Sequence, residues 1–300
     1  MQSITTIILT YNEEKHIERC INNALQFSQE IYLVDSFSKD QTVSIAEALG
    51  AKVYQNKWEN NHAKQFNWGL ENLPINSEWI FRLDADEYLT EELIAEINQK
   101  LPELGSDISG VVFERKQYFL NTLMTKGMLQ MNMLRLFRYQ HGICEDRWMD
   151  EHIVLTKGKS LKFKEFFVDH NINPLGWWID KHNNYSIREA VELLNLEFRL
   201  IVPTGETAQY EMSADAQEKR DKKKKYAHMP LFWRSFIYFV YRYFFKLGFT
   251  QGKAGFLWHF FQGWWYRTLV DAKVYEVKKA CGDDTQKMKQ FIFENYNIRL

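Results

Sequence analysis

The stretch ITTIILTYNEEKHIERCINNA, Ile4 to Ala24, decides how the first half of the chain folds. Ile4 to Leu9 is an uncharged, β-branched run of strand length, and Asn12 followed by Glu13 and Glu14 is a helix start. Ile17, Cys20, Ile21 and Ala24 then fall on one helical face, which completes a βα unit. Working outward, EIYLV (Glu30 to Val34) reads as a second strand ending on Asp35. A polar turn, Ser36 to Asp40, leads to a helix from Thr42 to Leu49 that stops at Gly50. Ala51 to Tyr54 predicts a third strand and His62 to Leu70 a helix. WIFRL (Trp79 to Leu83) predicts a fourth strand that runs straight into Asp84, Ala85, Asp86 and Glu87, after which Thr90 caps a helix carrying Leu93, Ile94 and Ile97. Such alternation implies an α/β fold, a Rossmann-like, mostly parallel sheet with flanking helices. Beyond Ser109 come longer strands (GVVFERKQYF, then MLRLFRY), an acidic cluster of Glu145, Asp146, Asp150 and Glu151, a strand near Phe163 to Asp169, and a helix at about Trp177 to Leu194. No internal repeat is visible.

The 300 residues are globular in composition, 45% hydrophobic and 26% charged, and room remains for an appendage beside one catalytic domain. Cys20, Cys144 and Cys281 are too few and too far apart for a disulfide framework or a CxxC metal site, so a reducing compartment is expected. The first eleven residues lack a basic region and a long apolar run, which argues against a signal peptide. No stretch reaches the roughly 18 uninterrupted apolar residues of a spanning helix.

A net charge of -1 conceals a strong asymmetry. Lys219 to Val270 holds eleven basic residues and one acid, Asp221, a local charge of +10 against -11 for the rest. Within it, 17 of the 36 residues from Leu231 to Tyr266 are aromatic. Aromatic rings dotted with Lys and Arg suit an element lying in the headgroup layer of an anionic membrane. An aromatic core of a small helical subdomain is the competing reading, and a single-strand nucleic-acid groove a weaker third. With the body acidic and no recognised nucleic-acid motif, no nucleic-acid partner is expected.

In parallel sheets ligands bind beyond the carboxyl ends of the strands. Tyr11 to Glu14, Asp35 to Asp40 and Asp84 to Glu87 all fall there, and Asp84 and Asp86, two hard carboxylates at i and i+2, can share one divalent cation. IILTYNEE (Ile7 to Glu14), VDSFSKDQT (Val34 to Thr42) and FRLDADEYL (Phe81 to Leu89) resemble, in order and spacing, the three nucleotide-sugar motifs of family 2 glycosyltransferases of GT-A fold. AKQFNWGL (Ala63 to Leu70) resembles the stretch between the second and third of them. RLFRY, DRWMDEHIVL (Asp146 to Leu155) and KHNNYS (Lys181 to Ser186) resemble the bacterial branch that builds lipopolysaccharide core, O-antigen and capsule. The resemblance covers most of residues 4 to 190, and the aromatic C-terminal segment is also similar to that branch.

The resemblance implies that Tyr11, with Thr10 and Glu13 nearby, sits against the nucleobase. Asp35 would hydrogen-bond the base or ribose, Lys64 would approach the diphosphate or sugar, Asp84 would lie near the ribose or metal water, and Asp86 would ligate Mg2+ or Mn2+. Ser36 stands where the motif more often has a second acid. An inverting transfer needs one base for the acceptor hydroxyl. Asp150 and Glu151 match the family's catalytic acid region, with Glu151 preferred; on an extended segment the two face opposite ways, so only one can serve. His170, in VDHN, either completes the metal shell or is a satisfied buried histidine. Lys181, with His182 and Tyr185 on one helix face, either reaches the diphosphate or acceptor or caps the pocket.

The expected organisation is a GT-A catalytic domain over 1–200, divided into a nucleotide-sugar half to about 105 and an acceptor half from about 106. A polar basic connector over 201–228 and a helical membrane-associating segment with its tail over 229–300 follow. The expected function is transfer from a nucleoside-diphosphate donor, UDP by preference, to a lipid-linked or lipopolysaccharide-core acceptor. The enzyme would be cytoplasmic, peripheral on the inner face of the bacterial inner membrane, and held to its anionic surface through about 219–270. A sugar-nucleotide nucleotidyltransferase and a non-catalytic saccharide- or membrane-binding module on the same fold are the alternatives. The first usually needs a glycine-rich phosphate loop after its first strand, and Tyr11 to Lys15 is not one.

Overall fold

A computed structural model describes residues 3–145, 151–201 and 225–300. The chain divides into two compact units, one of residues up to 123 with 130–172, the other of 124–129 with the described residues from 173 onward.

The first unit is a mixed sheet in the order β3-β2-β1-β4-β8-β6-β11-β5, with the short β7 (Thr122–Met124) paired to β6. Its parallel half is β1 (Ile4–Thr10), β2 (Glu30–Asp35), β3 (Lys52–Gln55) and β4 (Trp79–Asp84). The four strands alternate with α1 (Ile17–Ala24), α2 (Thr42–Ala48) and α3 (His62–Asn72), as the sequence pattern predicts. Both faces of β1, β2 and β4 are buried, which explains their near-continuous hydrophobicity, while β3 at the sheet edge is more exposed. Ile4, Ile8, Leu33, Trp79, Phe81 and Leu83 pack on one side with α1 and with α4 (Glu91–Lys100), while Ile7, Tyr32, Val34 and Ile80 pack on the other with Ala63 and Phe66 of α3.

The second half of the sheet is less regular. β8 (Met131–Arg138) runs antiparallel to both β4 and β6 (Ile108–Phe119), and β11 (Lys159–Asp169) runs parallel to β6. A strand absent from the sequence reading, β5 (Glu87–Leu89), pairs antiparallel with the end of β11. β9 (Gly142–Cys144) and β10 (Ile153–Leu155) form a separate hairpin.

The second unit is helical. Its core is aliphatic. Ala190, Val191, Leu193 and Leu194 of α5 (Leu175–Phe198) meet Val270, Val274 and Val277 of the helix Tyr266–Cys281 and Met288 and Ile292 of the helix Thr285–Tyr296. Grouping residues 1–200 together, as the sequence suggests, would join α5 to the sheet, but α5 packs in the helical unit. The aromatic segment forms helices Trp233–Val240 and Gly252–Trp258, each followed by a π-helical turn, Tyr241–Phe245 and His259–Trp265. Among the described residues no helix is long and apolar enough to cross a membrane. Most of the proposed connector, residues 202–224, lies outside the described residues.

Candidate active site

The register of the parallel strands places Thr10 beside Asp35 and Leu9 beside Asp84, so three motif ends meet at one sheet edge. Asp35 is fully buried. Its carboxylate accepts from Thr10 Oγ1 at 2.9 Å, from the Ser38 amide at 2.8 Å and from Ser38 Oγ at 2.5 Å. In this structure the Asp35 oxygens organise the loop. The loops after β1 and β2 are laced together. Asn12, in the left-handed region at φ 56°, donates its amide to Ser38 Oγ and accepts from the Lys39 amide through Oδ1. The Glu13 amide bonds Thr42 Oγ1 at 2.7 Å, and the Glu13 carboxylate holds His16 Nδ1 at 2.7 Å. Among the side chains the two loops leave in solvent are two rings, Tyr11 at 54% exposure and Phe37 at 51%. Sequence reasoning found Tyr11 and missed Phe37, whose φ of 61° is not legible in its residue type.

α3 is fastened to the same edge by Gln65, a second residue the sequence reading passed over. Its amide donates to Ser36 Oγ at 3.1 Å and to the Asn56 carbonyl, while Asn56 Nδ2 donates back to Gln65 Oε1. Ser36, in place of a second acid, thus accepts a bond from the helix. Lys64 is half exposed on the first turn of α3, 3.4 Å from Glu59.

Asp84 and Asp86 bracket the turn between β4 and β5. Arg135 on β8, from the RLF motif, is buried and reaches Asp84 Oδ2 at 3.1 Å and Glu87 Oε1 at 2.6 Å. Arg82 approaches Asp84 Oδ1 at 3.8 Å. Burial works against the Asp84 charge, but Arg135, then Arg82 and His62, hold its carboxyl well below the usual carboxylate range. Glu87 is enclosed, with burial pushing its carboxyl up and Arg135 opposing, and it accepts the Asp84 amide at 3.0 Å.

Asp86 meets the end of β11. The His170 amide donates to the Asp86 carbonyl at 2.9 Å, and Asn171 Nδ2 donates to Asp86 Oδ2 at 3.0 Å. His170 stacks on Tyr118 at 4.2 Å. Arg19 Nη1 lies 3.3 Å from its Nδ1, which makes Nδ1 the acceptor and gives the proton to Nε2, 3.1 Å from Asn121 Oδ1. Burial, then Arg19 and His16, lower the His170 pKa and keep the ring neutral near pH 7. Arg19 also donates to the carbonyls of Asp86 and His170, so it ties α1, the acidic turn and β11 together.

The residues suit a hard divalent cation in a particular way. Among the described residues no three His, Cys, Asp or Glu side chains converge to form a closed metal cage. Mg2+ and Mn2+ sites built around a diphosphate need only one or two carboxylates, the remaining ligands being phosphate and water. An ionised Asp84 and a half-buried Asp86 meet that requirement.

Glu151 follows the acidic cluster at the β9–β10 hairpin. It raises the pKa of Cys144, as Glu145 does, although burial is the larger cause of a thiol at about 11. Cys144 Sγ lies 3.2 Å from Arg82 Nη1, so the hairpin end is electrostatically continuous with Asp84. Asp146 and Asp150 lie outside the described residues. Lys181 belongs to the helical unit, with its ammonium 4.7 Å from the Trp177 ring centre and 5.7 Å from that of Tyr185.

Comparison with known proteins follows these motifs. An uncharacterised glycosyltransferase of Rickettsia typhi is 41% identical over 97 residues, 32% of this chain and 32% of its own length. The prophage-derived glycosyltransferase SunS of Bacillus subtilis is 35% identical over 92 residues, 30% of this chain and 21% of its own. The chain thus spans about a third or less of the curated relatives it matches. Among solved structures, S. aureus TarS 1–349 in complex with UDP-GlcNAc aligns over 99% of this chain and 92% of that one, at 13% identity and a TM-score of 0.43. Glucosyl-3-phosphoglycerate synthase of Mycobacterium tuberculosis, in complex with Mn2+, UDP and glucosyl-3-phosphoglycerate, covers 39% and 44% at 21% identity and 0.32. The family model for glycosyl transferase family 2 matches residues 5–167, more than half of the chain and every strand-end motif described above, and the chain belongs to that family.

Proposed function

We propose that the protein is an inverting, divalent-metal-dependent glycosyltransferase that moves a sugar from a nucleoside diphosphate, UDP by preference, to a lipid-linked saccharide in bacterial lipopolysaccharide or surface-polysaccharide synthesis. The observation that carries this reading is the convergence at one sheet edge of an exposed ring pair, Tyr11 and Phe37, with an acidic turn whose Asp84 is kept ionised by Arg135.

In this reading the rings hold the flat base, and Asp35, through Thr10 and Ser38, keeps the two loops in register. Asp84 and Asp86 would hold Mg2+ or Mn2+, which when bound offsets the charge developing on the leaving diphosphate, while His170, with Nδ1 engaged by Arg19 and Nε2 by Asn121, stands beside them as a satisfied histidine. The acceptor oxygen attacks the anomeric carbon from the face opposite the diphosphate. The carbon–oxygen bond to the diphosphate breaks, the nucleoside diphosphate leaves with the bonding pair, and the acceptor proton passes to the Glu151 carboxylate, or to Asp150 if that residue faces the acceptor. The lipid-linked acceptor and the cationic aromatic segment together favour a cytoplasmic enzyme resting on the inner face of the bacterial membrane.

Titration calorimetry with UDP and Mn2+, followed by UDP release from a panel of UDP-sugars, tests the donor half. Mn2+-dependent UDP binding with turnover of at least one donor supports the assignment. Absence of both defeats it, and binding without turnover on any acceptor points to a saccharide-binding module.

A further inference from the structure

We infer that the ring-covered face of the helical unit is a lipid-docking surface that seats on an anionic bilayer and takes a lipid chain into a groove of about 500 Å³ lined by Tyr243, Phe249, Gly252, Lys253, Phe256 and Leu257. The inference rests on the membrane placement proposed above and specifies the face that makes it.

Three observations carry it. Most of the rings are outside the core. Of the 17 aromatic residues from Leu231 to Tyr266, eight are exposed and three, Phe239, Trp258 and Tyr266, are buried, while the core cluster of this unit is aliphatic apart from Tyr266. Phe245 is 76% exposed and Trp233 66%, values that no packing role within the chain explains. The rings are also contiguous. Trp233 meets Phe236 at 6.4 Å, Phe236 meets Trp264 at 5.4 Å, and Trp264 meets Phe260 at 6.0 Å. Phe260 then meets Phe256 at 6.1 Å, and Phe256 meets Tyr243, which touches both Phe244 and Phe249. Trp264, Phe260 and Tyr243 are half-buried links between the exposed Trp233, Phe236, Phe256, Phe244 and Phe249, and a contiguous apolar patch of this kind marks an interaction site.

The third observation is charge, and it selects the occupant. From Lys225 to Val270 the sequence has no acid. Arg234 is neutralised by Asp271 at 2.5 Å and Arg242 is buried, so the cations this face shows are the exposed Lys246 and Lys253, the latter on the groove itself. Among the described residues neither lysine has a carboxylate at ion-pair distance. Rings that prefer the headgroup boundary, rimmed by ammonium groups, complement anionic lipid. A second copy of the chain would bring the same cations against each other.

The test uses the full chain with vesicles of phosphatidylcholine, with and without phosphatidylglycerol, read by co-sedimentation and by brominated-lipid quenching of tryptophan. The expected result is tight partitioning onto the anionic vesicles and quenching that Trp233→Phe selectively removes. Phe244→Ser with Phe245→Ser should abolish insertion, and Lys246→Glu with Lys253→Glu should weaken binding by at least roughly 30-fold, about fivefold for each cation lost. These side chains are exposed, so unchanged circular dichroism and unchanged UDP affinity in both variants complete the expected result. No vesicle binding, equal binding by all variants, or a dimer in sedimentation velocity that the phenylalanine variant dissolves would each overturn the inference. Donor turnover is measured without vesicles, so failure of the glycosyltransferase reading shows separately from failure of this one.

Discussion

In the sheet unit Trp79, Phe81, Phe113, Phe137 and Phe167 are each fully enclosed, whereas the core of the helical unit is mainly Val, Leu, Met and Ile, with Tyr266 among them, and most rings from Leu231 to Tyr266 are exposed or half-buried. The two units also treat buried charge differently. In the sheet, Arg135 lies between Asp84 and Glu87, so a structural cation is part of the site. In the helical unit, Arg234 is closed off by Asp271, while Arg267 stacks between Tyr226 and Tyr238, with centroids at 5.2 and 4.4 Å. Hydrophobicity is therefore spent on stability in one unit and on display in the other, and charge on chemistry in one and on packing in the other.

Breaking each buried ion pair tests that division with the largest expected effect. Arg135→Met leaves the buried Glu87 and the partly exposed Asp84 without their cation, and Asp271→Asn leaves Arg234 without its anion; each should cost about 3–5 kcal/mol in urea unfolding. The outcomes should part on function: Arg135→Met also removes UDP–Mn2+ affinity, whereas Asp271→Asn keeps it under conditions where the protein remains folded. Equal loss of affinity in both would erase the distinction.

Next in size is the site itself. Asp86→Ala should lower donor turnover by roughly 10² to 10³-fold, about 3–4 kcal/mol, the usual cost of losing one electrostatic anchor for developing charge. Because Asp86 is only half buried, the melting curve should barely move. Glu151→Gln and Asp150→Asn should differ sharply in turnover, and near-normal rates in both would put the base elsewhere.

The pH response should separate the units by about 3 kcal/mol. His259 is buried, with Nε2 at 3.2 Å from the Lys126 carbonyl and Nδ1 without a hydrogen-bond partner among the described residues. Burial, then Arg242, bring its pKa to about 4; burial does the same for His182, stacked on Trp178. The unfolded chain takes these protons near pH 6.5, the folded one only near 4, so stability is lost as pH falls through that window. The loss is on the order of 3 kcal/mol at His259 and less at the half-buried His182. Asp84 has the same sign but a lower window: its folded pKa is depressed, so its contribution persists down to the unfolded carboxyl value of about 3.9 and fades below it. Urea unfolding at pH 7 and pH 4.5 should show the helical unit weakening first, and His259→Gln should flatten that slope.

How much of this was legible in the sequence follows from the range of the forces involved. β1, β2 and β4 and the Asp35 and Asp84 strand ends were readable because a strand buried on both faces and the turn after it are local patterns. Glu87–Leu89 was not: three residues make no periodicity, and the partner strand lies about eighty residues on. Arg19 sits beside the apolar face of α1, where an arginine is ordinarily solvated, and only the fold brings it to His170. The residue type of Asp35 announced a ligand contact, yet Thr10 and Ser38 take up its oxygens, an outcome set by the spacing of two loops. The charge asymmetry was fully legible, but whether the rings formed a core or a surface was not, since the helical pattern alone serves either.

The smallest expected effect bears on that last point. A surface substitution away from any cap or ion pair shifts stability by no more than about 0.5 kcal/mol, whereas truncating an enclosed phenylalanine costs about 3–5 kcal/mol. Phe245→Ala should therefore leave the unfolding midpoint in place to within about 0.5 kcal/mol. If Phe245→Ala destabilises the chain by several kcal/mol, the ring is held by something within the protein, and the exposed aromatic face is a core after all. If the midpoint holds while vesicle binding falls, the ring contributes nothing to folding and its presence on the surface answers to a partner outside the chain.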